Sequence, residues 1–292
     1  MTSIEWTDEV WNPVTGCTRV SEGCRHCYIE RTPPFRKSGR TVGDPIQLHP
    51  ERLDAPLHWR KPRRVFVNSL SDLFHEDVPD GFIDDVFEVM WESDVHVFQV
   101  LTKRPKRMLE YISRSAFLSN DPMSHVHLGV SVEDQATADE RIPILLQTPA
   151  AVRWVSAEPL LGAVELDSLP SVSGIGRYFD ALSNAGWQGS DFFGGLDWVV
   201  VGGESGPKAR PCDVAWIRSI VRQCRAAQVP CFVKQLGGRP YAVEGSVDAQ
   251  EWGAFDDAVA PMDDCGQIHC RDRKGGEPSE WPEDLRVREY PR

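Results

Sequence analysis

The chain has 292 residues, with 32 Lys and Arg against 44 Asp and Glu and a formal net charge of −12 at pH 7, which excludes binding of polyanions through bulk charge. Its apolar content of 41% is that of a globular protein. No uninterrupted apolar run approaches the roughly 20 residues of a membrane span, and no basic region followed by an apolar core opens the chain, so a soluble, cytoplasmic protein is expected.

Residues 1–30 hold a short strand candidate around Ile4-Glu-Trp6 and then the stretch Trp11-Asn-Pro-Val-Thr-Gly-Cys17-Thr-Arg-Val-Ser-Glu-Gly-Cys24-Arg-His-Cys27-Tyr28. Gly16, Gly23 and Pro13 break both helix and strand periodicity, so this stretch reads as a loop. Its cysteines are spaced Cys-x6-Cys-x2-Cys. Three thiolates on one loop can converge on a metal without help from distant sequence. Zinc usually takes four protein ligands, and a [4Fe–4S] cluster normally takes four cysteines. Three without an obvious fourth suggest a cluster with one open iron, or a site completed from elsewhere. The plainer alternative is a structural zinc loop with His26 or a distant residue as fourth ligand. Eight cysteines in a chain of this size are too few for a disulfide scaffold and fit a reducing compartment.

Residues 31–60 are Pro-rich and read as a helix leaving the loop, followed by an irregular connector. From residue 64 short apolar runs alternate with helical periodicity. The runs are Val65–Val67, His96–Leu101, Val126–Val130, Val152–Val155, Trp198–Val201 and Cys231–Val233, each the pattern of a strand buried on both faces. Asp80 is placed to cap a helix burying Ile83, Val86, Phe87 and Met90. Pro105 suits the first turn of a helix carrying Met108, Leu109 and Ile112. Asp134 opens a helix to Leu146 that Pro143 should kink or divide. Asp213 caps a helix with Ile217, Ile220, Val221 and Cys224 on one face. This alternation predicts an α/β fold, a parallel β/α barrel or partial barrel of about six to seven strands, with a doubly wound sheet as the alternative. Residues 1–240 form the expected barrel, with a Ser-, Gly- and Asp-rich insertion at 164–196 read as a lid or partner surface. Residues 241–292 read as an irregular extension packed on it.

In parallel α/β folds the site lies at the C-terminal ends of the strands. Reading past each run gives Asn68-Ser69 and Asp72, then Thr102-Lys103-Arg104, Ser131 and Glu133, Ser156 and Glu158, Gly202-Gly203-Glu204, and Lys234-Gln235. Carboxylates there suit amino and hydroxyl groups, and Lys103, Arg104 and Lys234 suit a carboxylate or phosphate. Gly202-Gly203 allows close approach of backbone to a ligand, or simply a tight turn. Cys212, Cys224 and Cys231 sit among apolar residues and read as buried thiols. Cys265-x4-Cys270 with His269 could hold a second metal or donate a ligand to the first.

Several of these motifs together resemble the phage-encoded three-Cys-motif protein family, which by similarity belongs among radical S-adenosylmethionine (SAM) proteins. They are Glu5-Trp-Thr7, Trp11–Cys17, Gly23-Cys24 with Cys27-Tyr28, Phe66-Val-Asn-Ser69 with Asp72-Leu-Phe74, and Leu101-Thr-Lys-Arg-Pro105. Further along stand Gly129–Glu133, Ser156–Gly162, Gly202–Gly206 with Ala209-Arg-Pro211, and Val233–Gly237. The resemblance implies a radical SAM-like TIM barrel in which Cys17, Cys24 and Cys27 ligate three irons of a [4Fe–4S] cluster. The fourth iron would chelate SAM, and one electron would cleave SAM to a 5′-deoxyadenosyl radical that abstracts hydrogen from a nucleotide, nucleic-acid or other substrate. An electron-donor protein is the implied partner. His26 falls where an aromatic residue contacts adenine, and Asp72, Ser131, Glu133, Glu158 and Glu204 would bind SAM or substrate. Lys103, Arg104, Lys234 and Gln235 are the substrate candidates. The usual radical SAM spacing is Cys-x3-Cys-x2-Cys, and here the first gap is six. The competing readings are a metal-stabilised nucleic-acid-binding or host-interaction protein, drawing on Arg60–Arg64, Lys103–Arg107 and the insertion at 164–196, and a zinc hydrolase, for which three thiolates make a poor Lewis-acid site.

Overall fold

The computed structural model describes residues 4–170, 178–183, 186–188, 191–243, 250, 252 and 260–291. Seven strands form one sheet whose order follows the chain: β1 (Glu9–Trp11), β2 (Arg64–Val67), β3 (Val97–Thr102), β4 (Val126–Val132), β5 (Val152–Ala157), β6 (Trp198–Gly202) and β7 (Cys231–Gln235). An order that never reverses has no switch point, which separates it from the doubly wound alternative. The fold class is a partial parallel β/α barrel. Six strands fall on the apolar runs. The first does not: it is Glu9–Trp11 rather than the stretch around Ile4–Trp6, and Trp6 serves as a core side chain instead. Among the described residues no helix is long and apolar enough to cross a membrane.

The chain divides into two compact units, Met1–Ser131 with Ile144–Trp154, and Val132–Pro143 with Val155–Arg292. In the first, strand register places Phe66 opposite Gln99 and Gln99 opposite His127. Trp6 meets Phe66 edge-on at 4.8 Å and Trp154 at 5.2 Å between ring centroids. Gly129 lies under the Trp154 indole, where an added Cβ would sit 2.5 Å from the ring, so only glycine fits. The helix α1 (Pro33–Ser38) leaves the cysteine loop as the sequence suggests. The helix α2 (Asp80–Glu92) buries Ile83, Val86, Phe87 and Met90, and also Phe82 and Val89. Its cap is Pro79, so Asp80 lies inside the first turn, where it accepts from Arg107 at 3.0 Å and Arg114 at 2.7 Å. The helix α3 (Pro105–Arg114) starts on Pro105 and buries Met108, Tyr111 and Ile112.

The helix α4 (Gln135–Gln147) runs through Pro143 without dividing. Proline removes a single backbone donor, and here it does so within the last turns. Asp134 caps this helix by accepting from the Thr137 amide at 2.9 Å. In the second unit α5 (Val214–Ala227) is capped as expected, Asp213 accepting from the Ala215 amide at 2.9 Å, and it buries Ile217, Ile220, Val221 and Cys224. The end of the chain packs back on β7: Val233 donates to the Val287 carbonyl at 2.8 Å, Glu289 donates to the Cys231 carbonyl at 2.9 Å, and Trp281 is fully buried. Within the insertion at 164–196, Leu169–Pro170 pairs with Tyr178–Phe179 and Gly186–Gln188 with Asp191–Phe193. Residues 171–177, 184–185 and 189–190 of that insertion, and 244–249 and 253–259 of the C-terminal stretch, lie outside the described residues.

Candidate metal centre

The cysteine loop is held against the end of β2. Gly16 donates to the Leu70 carbonyl at 3.1 Å, Ser71 Oγ to the Gly16 carbonyl at 2.5 Å, and Asn12 Oδ1 accepts from the Leu70 amide at 2.8 Å. A 3-10 turn, Glu22–Cys24, brings Cys24 inward, with its amide on the Ser21 carbonyl at 3.0 Å. A second turn, Tyr28–Arg31, follows directly on Cys27. Thus Cys24 is buried, while Cys17, Cys27 and His26 are half-buried.

All eight cysteines are thiols rather than disulfides. Burial pushes the Cys17 thiol up to about 12, with the Asp72 carboxylate adding to it and Arg104 opposing. Burial likewise raises Cys27, with Lys103 opposing. The charge of Cys24 raises both, so the three sulfurs share one electrostatic neighbourhood.

Arg104 precedes α3, and its side chain is 10% exposed. Nε donates to Glu76 Oε2 at 2.7 Å, Nη1 to Asp72 Oδ2 at 3.1 Å and to Cys17 Sγ at 3.9 Å, and Nη2 to Thr18 Oγ1 at 2.6 Å. Asp72 is itself pinned by Thr102 Oγ1 at 2.7 Å and by the amides of Phe74 and Lys103, each at 3.0 Å. His75 accepts from the Asp77 amide on Nδ1, which leaves the proton on Nε2 to donate to Thr18 Oγ1 at 2.9 Å. Burial, and then the nearby Arg104 charge, lower the His75 pKa and keep the ring neutral. Asp72 and Arg104, expected as contacts for SAM and substrate, pair with each other, and Arg104 reaches the cysteine loop. Thr18, His75 and Glu76 complete this net and carry no motif that marks them in sequence.

The donor set suits a soft metal centre, three thiols backed by the cations Arg104 and Lys103. Among the described residues no group of three His, Cys, Asp or Glu closes around a single ion. A four-iron cluster does not require such closure, because its thiolates bind separate irons.

Asn68, just past β2, is 3% exposed, and neither polar atom of its amide has a partner among the described residues. Ser131 is buried at the end of the same unit.

The remaining rim residues lie in the second unit. Glu133 is 1% exposed, and both its oxygens accept from Arg141 Nη1 at 3.2 Å. Glu204 accepts from Arg210 Nε at 2.9 Å, Nη2 at 2.7 Å and the backbone amide at 2.8 Å. Glu158 accepts from Lys234 Nζ at 2.6 Å and Gln235 Nε2 at 3.2 Å, and Gln235 also donates to the Gly203 carbonyl at 2.8 Å. A Cβ on Gly203 would run into the Leu236 carbonyl, so this glycine serves close packing of the chain on itself. Cys212, Cys224 and Cys231 are buried, as their apolar neighbours suggest. Cys265 is exposed and Cys270 half-buried, and His269 Nε2 lies 2.9 Å from Asp263 Oδ2.

Part of each basic run is paired with acids. Arg63 pairs with Glu9 at 2.7 Å, Arg64 with Asp8 at 2.8 Å, and Arg107 with Asp80 at 3.0 Å.

Compared with known families, residues 1–260 match the model of the family described as "Protein of unknown function (DUF5131)", and the chain belongs to that family. No curated protein and no solved structure matches it.

Proposed function

We propose that this member of the DUF5131 family carries a [4Fe–4S] cluster on Cys17, Cys24 and Cys27 and is a radical SAM-type enzyme. The observation that carries the reading is three free thiols on one short loop, with Arg104 Nη1 donating to Cys17 Sγ at 3.9 Å. The cluster would supply one electron for reductive cleavage of bound SAM, which produces the species that abstracts hydrogen.

The chain's own part is positional. Leu70, Ser71 and Asn12 fix where the loop enters. Tyr28 OH donates to the Ser69 carbonyl at 2.6 Å and fixes where it leaves. Arg104 and Lys103 offset the charge that three deprotonated thiols would place in a half-buried loop. The Asn68 amide offers one donor face and one acceptor face at the strand end, where a bound molecule would meet it. His26, beside Cys27, is the candidate contact for adenine. In the second unit Glu158, Lys234 and Gln235 are polar groups of the kind that would hold a nucleotide substrate. An electron-donor protein is the required partner. The net charge of −12 weighs against the non-catalytic nucleic-acid-binding reading.

The test is anaerobic iron, sulfide and zinc analysis of the purified protein, with the C17A/C24A/C27A triple variant as control. About four irons with matching sulfide, lost in the variant, together with 5′-deoxyadenosine formed from SAM and reductant, are expected. Stoichiometric zinc without sulfide, persisting after reconstitution with iron and sulfide, overturns the reading.

A further inference from the structure

Arg104 does more than an internal ion pair requires. Asp72 and Glu76 alone would satisfy a buried guanidinium as a structural pair. Yet its Nη edge turns to two consecutive residues of the cysteine loop, reaching Thr18 Oγ1 at 2.6 Å and Cys17 Sγ at 3.9 Å. The hydroxyl it meets is fixed in turn by His75 Nε2 at 2.9 Å. On the other side, Asp72 is pinned by Thr102 and by the amides of Phe74 and Lys103. Three partners from two chain segments, Asp72 and Glu76 on one and Thr18 on the other, therefore set the plane of the guanidinium, and one N–H remains directed at the sulfur.

We propose that Arg104 is the positioning residue that sets the reduction potential of the metal centre, by donating a charge-assisted hydrogen bond to the Cys17 sulfur. The inference rests on the cluster reading above. A thiolate bound to iron keeps much of its negative charge, and that charge grows when the centre takes up an electron. A fixed N–H donor on a cation stabilises the reduced form more than the oxidised form, and so raises the potential. The Asp72 and Glu76 carboxylates oppose this, and loss of the Arg104 cation leaves them uncompensated, so its removal lowers the potential on both counts. Ser21 Oγ lies 3.9 Å from Cys24 Sγ, so what distinguishes Cys17 is a donor that carries a positive charge.

The experiment is a redox titration of the anaerobically reconstituted full-length protein, followed by electron paramagnetic resonance, with iron and sulfide counted in every sample. Arg104→Gln removes the charge at similar size. Arg104→Lys keeps the charge but cannot reproduce the fork. The expected result is the same iron and sulfide content as wild type, a midpoint shifted to more negative potential in R104Q, and a smaller shift in R104K. Unchanged midpoints in loaded variants would overturn the inference and leave the cluster reading intact. Absence of iron and sulfide in the wild type would overturn the cluster reading, and this inference with it. If R104Q fails to load, R104K decides: a more negative midpoint supports the role, and an unchanged one overturns it.

Discussion

Tyr28 OH lies 2.6 Å from the Ser69 carbonyl, tying the residue after the third cysteine to the residue that follows Asn68 at the end of β2. Tyr28 is 43% exposed, so this bond restrains the loop rather than the core. In Tyr28→Phe the global stability should fall by only about 0.5–1.5 kcal/mol, while cleavage by trypsin after Arg19 or Arg25 becomes several-fold faster. Equal cleavage rates in the two proteins would show that the loop is held without this contact.

Asn68 buries an amide whose two polar atoms are unpartnered among the described residues. Leaving such a group without hydrogen bonds costs about 1–3 kcal/mol. Asn68→Leu, of similar size, should therefore leave the ligand-free protein as stable as wild type or more stable in urea unfolding, and should weaken binding of SAM. A clear loss of stability in the ligand-free variant would mean that the amide has a structural partner.

Glu133 and Arg141 form a buried pair two turns apart on and before α4. Removing either charge takes this buried partner from the other. Arg141→Met or Glu133→Leu alone should cost about 3–5 kcal/mol, whereas the double variant should recover most of that loss. Additive losses in the double-mutant cycle would show that the two side chains act independently.

Burial holds His127 at about 4, with His125 adding a smaller push in the same direction. The unfolded chain takes up this proton near pH 6.5, well before the folded chain does. Between those values the unfolded state binds more protons, so stability rises with pH and is lost as pH falls from about 6.5 to about 4. The shift corresponds to about 3 kcal/mol at most. His127→Leu should flatten this limb of the stability profile measured by chemical unfolding at successive pH values. An unchanged limb would assign acid sensitivity to other groups.

The strands after residue 64 were legible because a strand buried on both faces is a short apolar run, and the helices because Asp134, Asp213 and Pro105 start them by local chemistry. β1 was misplaced because Glu9 and Val10 are only half-buried, while the apolar signal nearby comes from Trp6, which packs on Phe66 and Trp154. Polar residues past each strand were also legible as a set. Their partners were not: Asp72 and Arg104 stand 32 positions apart, and which arginine reaches Glu204 depends on how the following loop folds. The cysteine spacing named the sulfurs, but Thr18 and His75 became visible only through hydrogen bonds that the fold creates.

The last strand of the sheet owes its outer side to the end of the chain. Val287 and Glu289 occupy hydrogen-bonding groups of Val233 and Cys231 that would otherwise face outward, yet the family match stops at residue 260. A protein trimmed to that boundary would present an unpaired, strongly apolar strand, Cys231-Phe-Val233, as a template for other copies of itself. The closing residues thus act as a guard against self-association, and a shortened chain should aggregate even with every proposed cluster ligand in place.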